Sequence, residues 1–370
     1  MARHEHPSGG ECTITLATAV EVVSCAFIAA GMPPDLARDG AETIVDTEAH
    51  GQSTHGLAIV PQYLRHLGSG EIEASARPRV AATRGATALI DGEGSLGQLG
   101  SRLATRVAGD LAVEAGIGLA TVRGSNHAGA LGPYARMLTD RGMIGIVLAS
   151  SVPSMLAPGG TSRTLGNNPL AIGCPTLEDP VVLDMAMSTV ARRRISLAAQ
   201  AAEPIPLGWA RDARGVPTAD ALAALAGSLE PFGGEKSAGL AVMVGLLATA
   251  LGGAAMGPDL GDLTRGPRPG VDGLTVIAIQ TSALGSEADV RARASASIAA
   301  LRGLPAAEAG PAVRMPGDRS ARAHAHAVAV GIRVPCSLWD ELVVAAEGSR
   351  HRPSSHRREL STPPGHDVGA

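Results

Sequence analysis

Aromatic side chains are nearly missing from this 370-residue sequence, which holds two Phe, two Tyr and two Trp. Its 45% hydrophobic share must therefore come from Ala, Leu, Val and Ile, which bury less area per residue than aromatic rings. Ordinary stability is expected, with room for support from contacts between subunits. Cysteine is also scarce. Cys12, Cys25, Cys174 and Cys336 lie far apart with no CxxC pair, which argues against a zinc knuckle and a disulfide scaffold and suits a reducing compartment. The formal charge of −4 gives no electrostatic case for nucleic acid or an anionic membrane as partner. No apolar run approaches the roughly eighteen residues that a membrane span needs, and the polar opening MARHEHPSGGE lacks the apolar segment of a signal peptide. A cytoplasmic location is the expectation.

What is present is glycine, 47 of them, dividing short periodic segments. Residues 17–30, 34–49 and 53–67 show helical spacing, with stops at Gly31 and Gly51 and a Ser53-Thr54 hydroxyl cap. The pattern then becomes strand-like at 80–83, 87–91, 118–122, 144–149, 170–173 and 181–183, the first two pairing as a hairpin across Arg84-Gly85. Helices are expected over 99–115 and 128–141. Another over 239–251 is apolar almost all round and so reads as buried. Residues 252–273 form a Gly/Pro/Asp-rich candidate flap, followed by a strand at 274–281 and helical segments near 286–302, 318–330 and 337–347. The expected fold class is α/β: a central sheet domain over 77–284, and a discontinuous helical domain from 15–76 and 285–348. Residues 1–14 and 349–370 read as disordered tails.

Gly92-Glu93-Gly94-Ser95-Leu96-Gly97 is a GxGxxG between an expected strand and helix, the context in which backbone N–H groups can cradle a pyrophosphate. The next strand, however, ends at Arg123 rather than at the acidic residue a ribose would need. The alternative is a glycine turn into a packed helix. Two of eleven histidines stand apart, His55 in STHG at the expected start of a helix and His127 in GSNHAG between a strand and a helix. A helix N-terminus disfavours the imidazolium, so either ring could stay neutral and exchange a proton with a substrate oxygen; either could equally fill a polar pocket. Asp184 closes an apolar strand and could hold a ribose hydroxyl, orient a histidine or simply cap. Lys236 in PFGGEKS could bind phosphate or be solvated, and Arg192-Arg193-Arg194 could meet a 2′-phosphate or form a solvated face. Gly159-Gly160 and the GNNP turn at 166–169 suit close backbone approach.

Taken in order, STHGLAIVPQYL (53–64), DGEGSLGQLGSRLA (91–104), GIGLATVRGSNHAGALGPYA (116–135), GNNPLAIGCP (166–175), VLDMAMSTVARRRI (182–195), EPIPLGWARDARGVPT (203–218), PFGGEKSAGLAVMV (231–244), RMPGDRS (314–320) and GIRVPCSLWDEL (331–342) resemble one family. It is the malate/L-lactate dehydrogenase family of the second type, whose relatives include ureidoglycolate dehydrogenase, sulfolactate dehydrogenase, 2,3-diketogulonate reductase and piperideine-2-carboxylate reductase. The resemblance implies a non-Rossmann fold with a largely antiparallel or mixed sheet, a site shared between the two subunits of a homodimer, and NAD or NADP as cofactor. It makes the glycine motif a strand-to-helix turn. It implies His55 as proton donor with Thr54 beside it, or His127 in that role. Cofactor contacts would fall on Asp184, Met185, Ala186, Met187 and Ser188, on Glu235 and Lys236, and on Arg314, Pro316 and Gly317. Asn167 and Asn168 would meet the substrate, and no metal is implied.

Three departures bear on the substrate. Ile59 stands where many members have an arginine able to clamp a carboxylate, with Arg65 and Arg123 as possible replacements. GGHKGYGL has become Gly233-Gly234-Glu235-Lys236-Ser237-Ala238-Gly239-Leu240, and Thr-Asn-Pro has become Asn167-Asn168-Pro169. The expected function is NAD(P)-dependent hydride transfer with a small 2-hydroxy or 2-oxo acid of the malate, lactate or sulfolactate type. The alternatives are reduction of a cyclic-imine carboxylate or a catalytically silent cofactor-binding relative.

Overall fold

The structure is a computed structural model that describes residues 10–160, 162–262, 266–307 and 312–348. Along the chain, strand β1 (Glu11–Ile14) precedes helices α1 (Leu16–Ala29), α2 (Pro34–Ala49) and α3 (Val60–Ser69), the last entered through a 3-10 turn at Leu57–Ile59. Then come β2 (Arg79–Arg84), β3 (Thr87–Asp91), α4 (Gly97–Ala115), β4 (Ile117–Ser125), α5 (Gly132–Thr139), β5 (Met143–Ala149), β6 (Pro153–Leu156), β7 (Arg163–Gly166), β8 (Leu170–Cys174) and β9 (Val181–Met185). A smaller region follows with α6 (Arg192–Gln200), β10 (Ala210–Arg211), α7 (Ala221–Ala226), β11 (Ser228–Leu229) and α8 (Glu235–Thr249). After the short β12 (Gly261–Asp262) and β13 (Gly266–Pro267), the chain closes with β14 (Asp272–Gln280), α9 (Glu287–Arg302), α10 (Asp318–Val330), β15 (Ile332–Pro335) and α11 (Cys336–Glu347).

The central sheet runs β2-β3-β4-β14-β5-β8-β9. Only β3 and β4 pair in parallel, joined through α4 as a βαβ unit; every other neighbouring pair is antiparallel. The sheet is thus mixed and largely antiparallel, as the family resemblance implies. α4 and α5 cover one face and α8 the other. Small side chains make the close helix–sheet approach: Ala104, Ala108 and Ala112 of α4 meet Ala120, Val122, Val276 and Ala278 of the strands. A second apolar cluster joins α1, α2, α3 and α11 around Phe27, Leu57 and Tyr63. Phe27, Tyr63 and Tyr134 are three of the six aromatics, and all are fully buried. With so few rings, each matters: truncating Phe27 to Ala would cost about 3–5 kcal/mol.

Several elements differ from the sequence expectation. Residues 11–14 are a strand rather than part of a tail, because β1 pairs antiparallel with β15 from Glu11↔Pro335 to Ile14↔Ile332. The rest of the expected tails, 1–9 and 349–370, lies outside the described residues. Cys12 and Cys336 form a disulfide (S–S 2.03 Å), against the expectation of unpaired thiols; a separation of 324 residues hides a pairing that only the β1–β15 ladder creates. α8 is not buried all round. Ala238, Ala241, Val244 and Ala248 pack inward, whereas Leu240, Met243, Leu246 and Leu247 are each more than 40% exposed. The helix expected from Ser53 begins only at Val60, since Pro61 and the turn at 57–59 set its first residues. Among the described residues, no helix is long and apolar enough to cross a membrane.

Candidate active site

His55 is carried by a turn that the rest of the molecule holds from below. Glu48 of α2 is 7% exposed, and its Oε2 accepts the Leu57 N–H at 2.7 Å. A Cβ at Gly56 would lie 2.9 Å from the Glu48 Cα and closer still to its carboxylate, so only glycine permits this approach. Burial pushes the Glu48 carboxyl upward. Thr54 Oγ1 hydrogen-bonds His55 Nδ1 at 2.9 Å. His55 is therefore not in the first turn of a helix. Its pKa is lowered by burial, with the nearby Asp184 carboxylate acting in the opposite direction.

His127 follows the end of β4. It faces His55 with ring centroids 5.7 Å apart and planes inclined by 30°. Its Nδ1 is 2.7 Å from Tyr63 Oη, and Gln98 Nε2 donates to that same Oη at 3.0 Å. The residue as a whole is exposed, while its Nδ1 is turned to the buried Tyr63 hydroxyl. Enclosure and the neighbouring His55 and His66 hold its pKa well below the usual histidine range. No helix dipole acts on this ring as the sequence leads one to expect, because α5 starts at Gly132, five residues later; desolvation lowers its pKa instead.

Asp184, at the end of β9, ties both histidine segments to the sheet. Its Oδ2 accepts from Gln52 Nε2 at 2.9 Å, two residues before Thr54, and from Gly132 N at 2.8 Å. Gln52 Oε1 and Gln98 Oε1 are buried without a hydrogen-bond partner, two unmatched acceptors beside the histidine pair. Met187 and Ser188 extend from β9 to the turn that carries Glu235 and Lys236: Phe232 N donates to Met187 O at 3.2 Å, and Ser237 Oγ donates to the same carbonyl at 3.3 Å. Glu235 and Lys236 themselves are exposed. The loop bearing Arg314, Pro316 and Gly317 lies on the other end of β9. A Cβ at Gly317, whose φ is +90°, would meet the Val182 backbone at 3.0–3.1 Å. Under this loop is a cavity of about 590 Å³ lined by Asp179, Val181, Arg302, Arg314 and Arg322. A second, of about 390 Å³, continues past Val182 to Arg136, His50 and His324.

Other sequence candidates are placed differently. Asn168 is spent on structure: its Oδ1 accepts from Ser151 N at 3.0 Å and its Nδ2 donates to Ala241 O at 2.8 Å. Asn167 Oδ1 accepts from Ser151 Oγ at 2.7 Å. Arg192 donates to Leu225 O at 2.8 Å, and Arg194 lies 5.0 Å over the Trp209 ring. Arg123 sits 3.6 Å from Asp91, and Arg65 is exposed on α3. Among the described residues, neither makes a hydrogen bond or ion pair with His55 or His127. At the glycine motif, a Cβ on Gly97 would fall 2.2 Å from Asn126 O and 2.3 Å from His127 O. This turn packs α4 against the His127 segment; its Gly92, Gly94 and Ser95 N–H groups already donate to Arg123 O, Gly124 O and Gly92 O, and the sheet is largely antiparallel, so the dinucleotide-loop reading fails. Glu48, Gln52, Tyr63 and Gln98 went unnoticed in the sequence. Tyr63 carried a weak signal as one of only two tyrosines; the other three look like ordinary helix and turn residues. Asp46, His50 and His324 also converge, with one possible ligand atom each within 4.8 Å of the others. The two rings are stacked at 4.4 Å, however, and Arg136 already pairs with Asp46 at 2.6 Å; parallel rings aim their in-plane lone pairs side by side rather than at a shared centre.

An edge strand, β9, that places a carboxylate near two facing histidines, with cavities at its Val181–Val182 end, is an arrangement in which side chains can handle protons and a bound cofactor electrons. The chain belongs to the malate/L-lactate dehydrogenase family, whose model matches residues 14–343. It is 37% identical over 238 residues to the L-sulfolactate dehydrogenase of Methanothermobacter thermautotrophicus, covering 64% of this chain and 70% of that protein. It is 38% identical over 246 residues to the (2R)-3-sulfolactate dehydrogenase (NADP(+)) of Chromohalobacter salexigens, covering 66% and 73%. The solved sulfolactate dehydrogenase of Methanocaldococcus jannaschii superposes with a TM-score of 0.84 at 28% identity, covering 92% of this chain and 98% of that one. The chain is thus a nicotinamide-dependent oxidoreductase of this family.

Proposed function

We propose that this protein reduces a small 2-oxo acid to its 2-hydroxy acid, and runs the reverse oxidation, with a sulfonated or dicarboxylic acid as substrate and NADP or NAD as cofactor. The observation that carries the reading is the His55–His127 pair, 5.7 Å apart, beside a carboxylate at the end of β9. A bound nicotinamide supplies or accepts the hydride. His55 is the proton donor to the substrate oxygen, because Asp184 opposes the loss of its charged form. His127 is held neutral and polarises the carbonyl rather than giving up a proton. Thr54 keeps the His55 ring in place through its 2.9 Å contact. The fit of a dinucleotide rests on three features: the 590 Å³ cavity at Val181 of β9, the arginines that line it, and the unmatched acceptor of Gln52 beside Asp184. Asp184 to Ser188 and the loop bearing Arg314, Pro316 and Gly317 would hold it, with Glu235 and Lys236 at the flank.

Ile59 leaves the substrate acid group without the usual arginine, which favours an acid whose second anionic group provides the binding energy. The exposed face of α8, where Leu240, Met243, Leu247 and the following Leu251 recur at helical spacing, supports a homodimer that covers it. The helical segments and the sheet region would then act as two domains, with the site between them. The test is oxidation of NADPH and NADH with sulfopyruvate, oxaloacetate, pyruvate and piperideine-2-carboxylate. Turnover with one of the first two, lost in His55→Ala, is expected. Turnover with the cyclic imine alone would replace the 2-oxo acid reading.

A further inference from the structure

Building on that reading, we propose that Gln98 and Tyr63 are positioning residues that fix the tautomer of His127, so that its Nε2 carries the proton and acts as a neutral hydrogen-bond donor in the site. Tyr63 is 1% exposed, and its Oη has two partners among the described residues, Gln98 Nε2 at 3.0 Å and His127 Nδ1 at 2.7 Å. The amide nitrogen of Gln98 can only donate. Tyr63 Oη therefore accepts from Gln98, and its own proton is left to point at His127. Nδ1 must receive that proton as an acceptor, and a neutral imidazole with an acceptor at Nδ1 has its N–H at Nε2.

The amide is placed with Nε2 on Tyr63 Oη and with Oε1 buried and unmatched; turned over, it would accept the Tyr63 proton and reverse the chain, which is the alternative the spectrum below reads. Gln98 is anchored near the start of α4, and Gly129, with φ +77°, is what lets the chain pass its Nε2: a Cβ there would lie 3.1 Å away. The histidine that faces His55 is thus set by a buried amide two hydrogen bonds away. A neutral ring locked as an Nε2–H donor polarises a carbonyl without competing with His55 for the proton.

The test reads the tautomer directly, by nitrogen-15 NMR of the ring nitrogens of His127 in full-length protein without substrate. The His127→Gln variant assigns the signals. The expected spectrum shows Nδ1 unprotonated and Nε2 protonated; a protonated Nδ1 overturns the proposal whatever the enzyme's activity. Gln98→Glu then reverses the chain, because its carboxyl oxygen takes the Tyr63 proton and turns Oη toward His127 as an acceptor. The signals should exchange between the two nitrogens, with kcat reduced about 10²-fold and cofactor KM unchanged. An unaltered tautomer with wild-type kcat in folded Gln98→Glu would also overturn it. Because the NMR readout needs no substrate, a correct tautomer in a protein that turns over no 2-oxo acid would count against the proposed function and not against this chain of bonds.

Discussion

Replacing Gly97 by Ala should damage catalysis more than stability. The Cβ would sit 2.2 Å from Asn126 O and 2.3 Å from His127 O, and real Cβ contacts essentially never fall below 3.0 Å. Opening the shorter gap moves the carbonyl by at least 0.8 Å. That carbonyl cannot move alone, because Asn126 Nδ2 donates to Gly94 O and Ser95 O at 2.8 and 2.9 Å, and Gly270 N donates to Asn126 Oδ1 at 2.9 Å. The shift passes to the His127 ring. A misplacement of about 1 Å at a reacting group costs on the order of 10²-fold in rate, whereas overpacking one methyl costs about 1–3 kcal/mol. Steady-state kinetics with NADPH and the best substrate should show kcat/KM about 10²-fold lower, while thermal unfolding falls by only several degrees. Gly68→Ala is the control. Gly68 lies inside α3 with nothing within 4 Å of the new Cβ, so activity should hold and stability should rise by about 0.5–1 kcal/mol. Wild-type kcat/KM in Gly97→Ala would refute the claim that this glycine sets the His127 position.

Other expectations follow from the same structure. Burial lowers the pKa of His55, so the oxidative kcat/KM should climb through an apparent pKa below 6.5 and the reductive one decline above it. Asp184→Asn removes the charge that opposes the shift, and should move both limbs to lower pH. Asp272 is pushed up to about 7 by burial. The native state therefore holds that proton more tightly than the unfolded chain, and stability is lost as pH rises from the unfolded pKa near 4 to about 7. Asp272→Asn should consequently gain at most about 4 kcal/mol at pH 8, and nothing of that kind near pH 3, in urea unfolding. Reduction of Cys12–Cys336, or Cys12→Ser, releases the link between β1 and the segment after β15 and should cost about 2–4 kcal/mol without loss of turnover. Met243→Glu with Leu247→Glu on α8 should convert a dimer to a monomer in sedimentation velocity; an unchanged species would place the interface elsewhere.

Local signals carried much of this fold, and long-range ones carried little. The expected helix at 318–330 coincides with α10 (Asp318–Val330) because Gly317 and Gly331, both at positive φ, punctuate it in the sequence. The hairpin across Arg84-Gly85 formed as expected. β6, β7, β10 and β11 were missed, being two to four residues long and held by pairing between distant segments. The two histidines are legible because each sits in a glycine-flanked turn, outside any apolar periodicity. Their support is not. Tyr63 lies on the buried face of α3 and Gln98 on that of α4, where sequence periodicity says only that a residue faces the core. The exposed side of α8 was misread for a related reason: an all-apolar helix looks the same in sequence whether its second face meets the core or another chain.

The most direct test of the central claim follows the hydride itself. NADPH deuterated at C4 is incubated with sulfopyruvate or oxaloacetate, and the product is analysed by mass spectrometry, with wild-type protein and with His55→Ala. The account predicts a 2-hydroxy acid carrying one deuterium at C2 from one face of the cofactor, formed by the wild type and nearly absent with His55→Ala. A deuterium-free product, or equal labelling by His55→Ala, would contradict it.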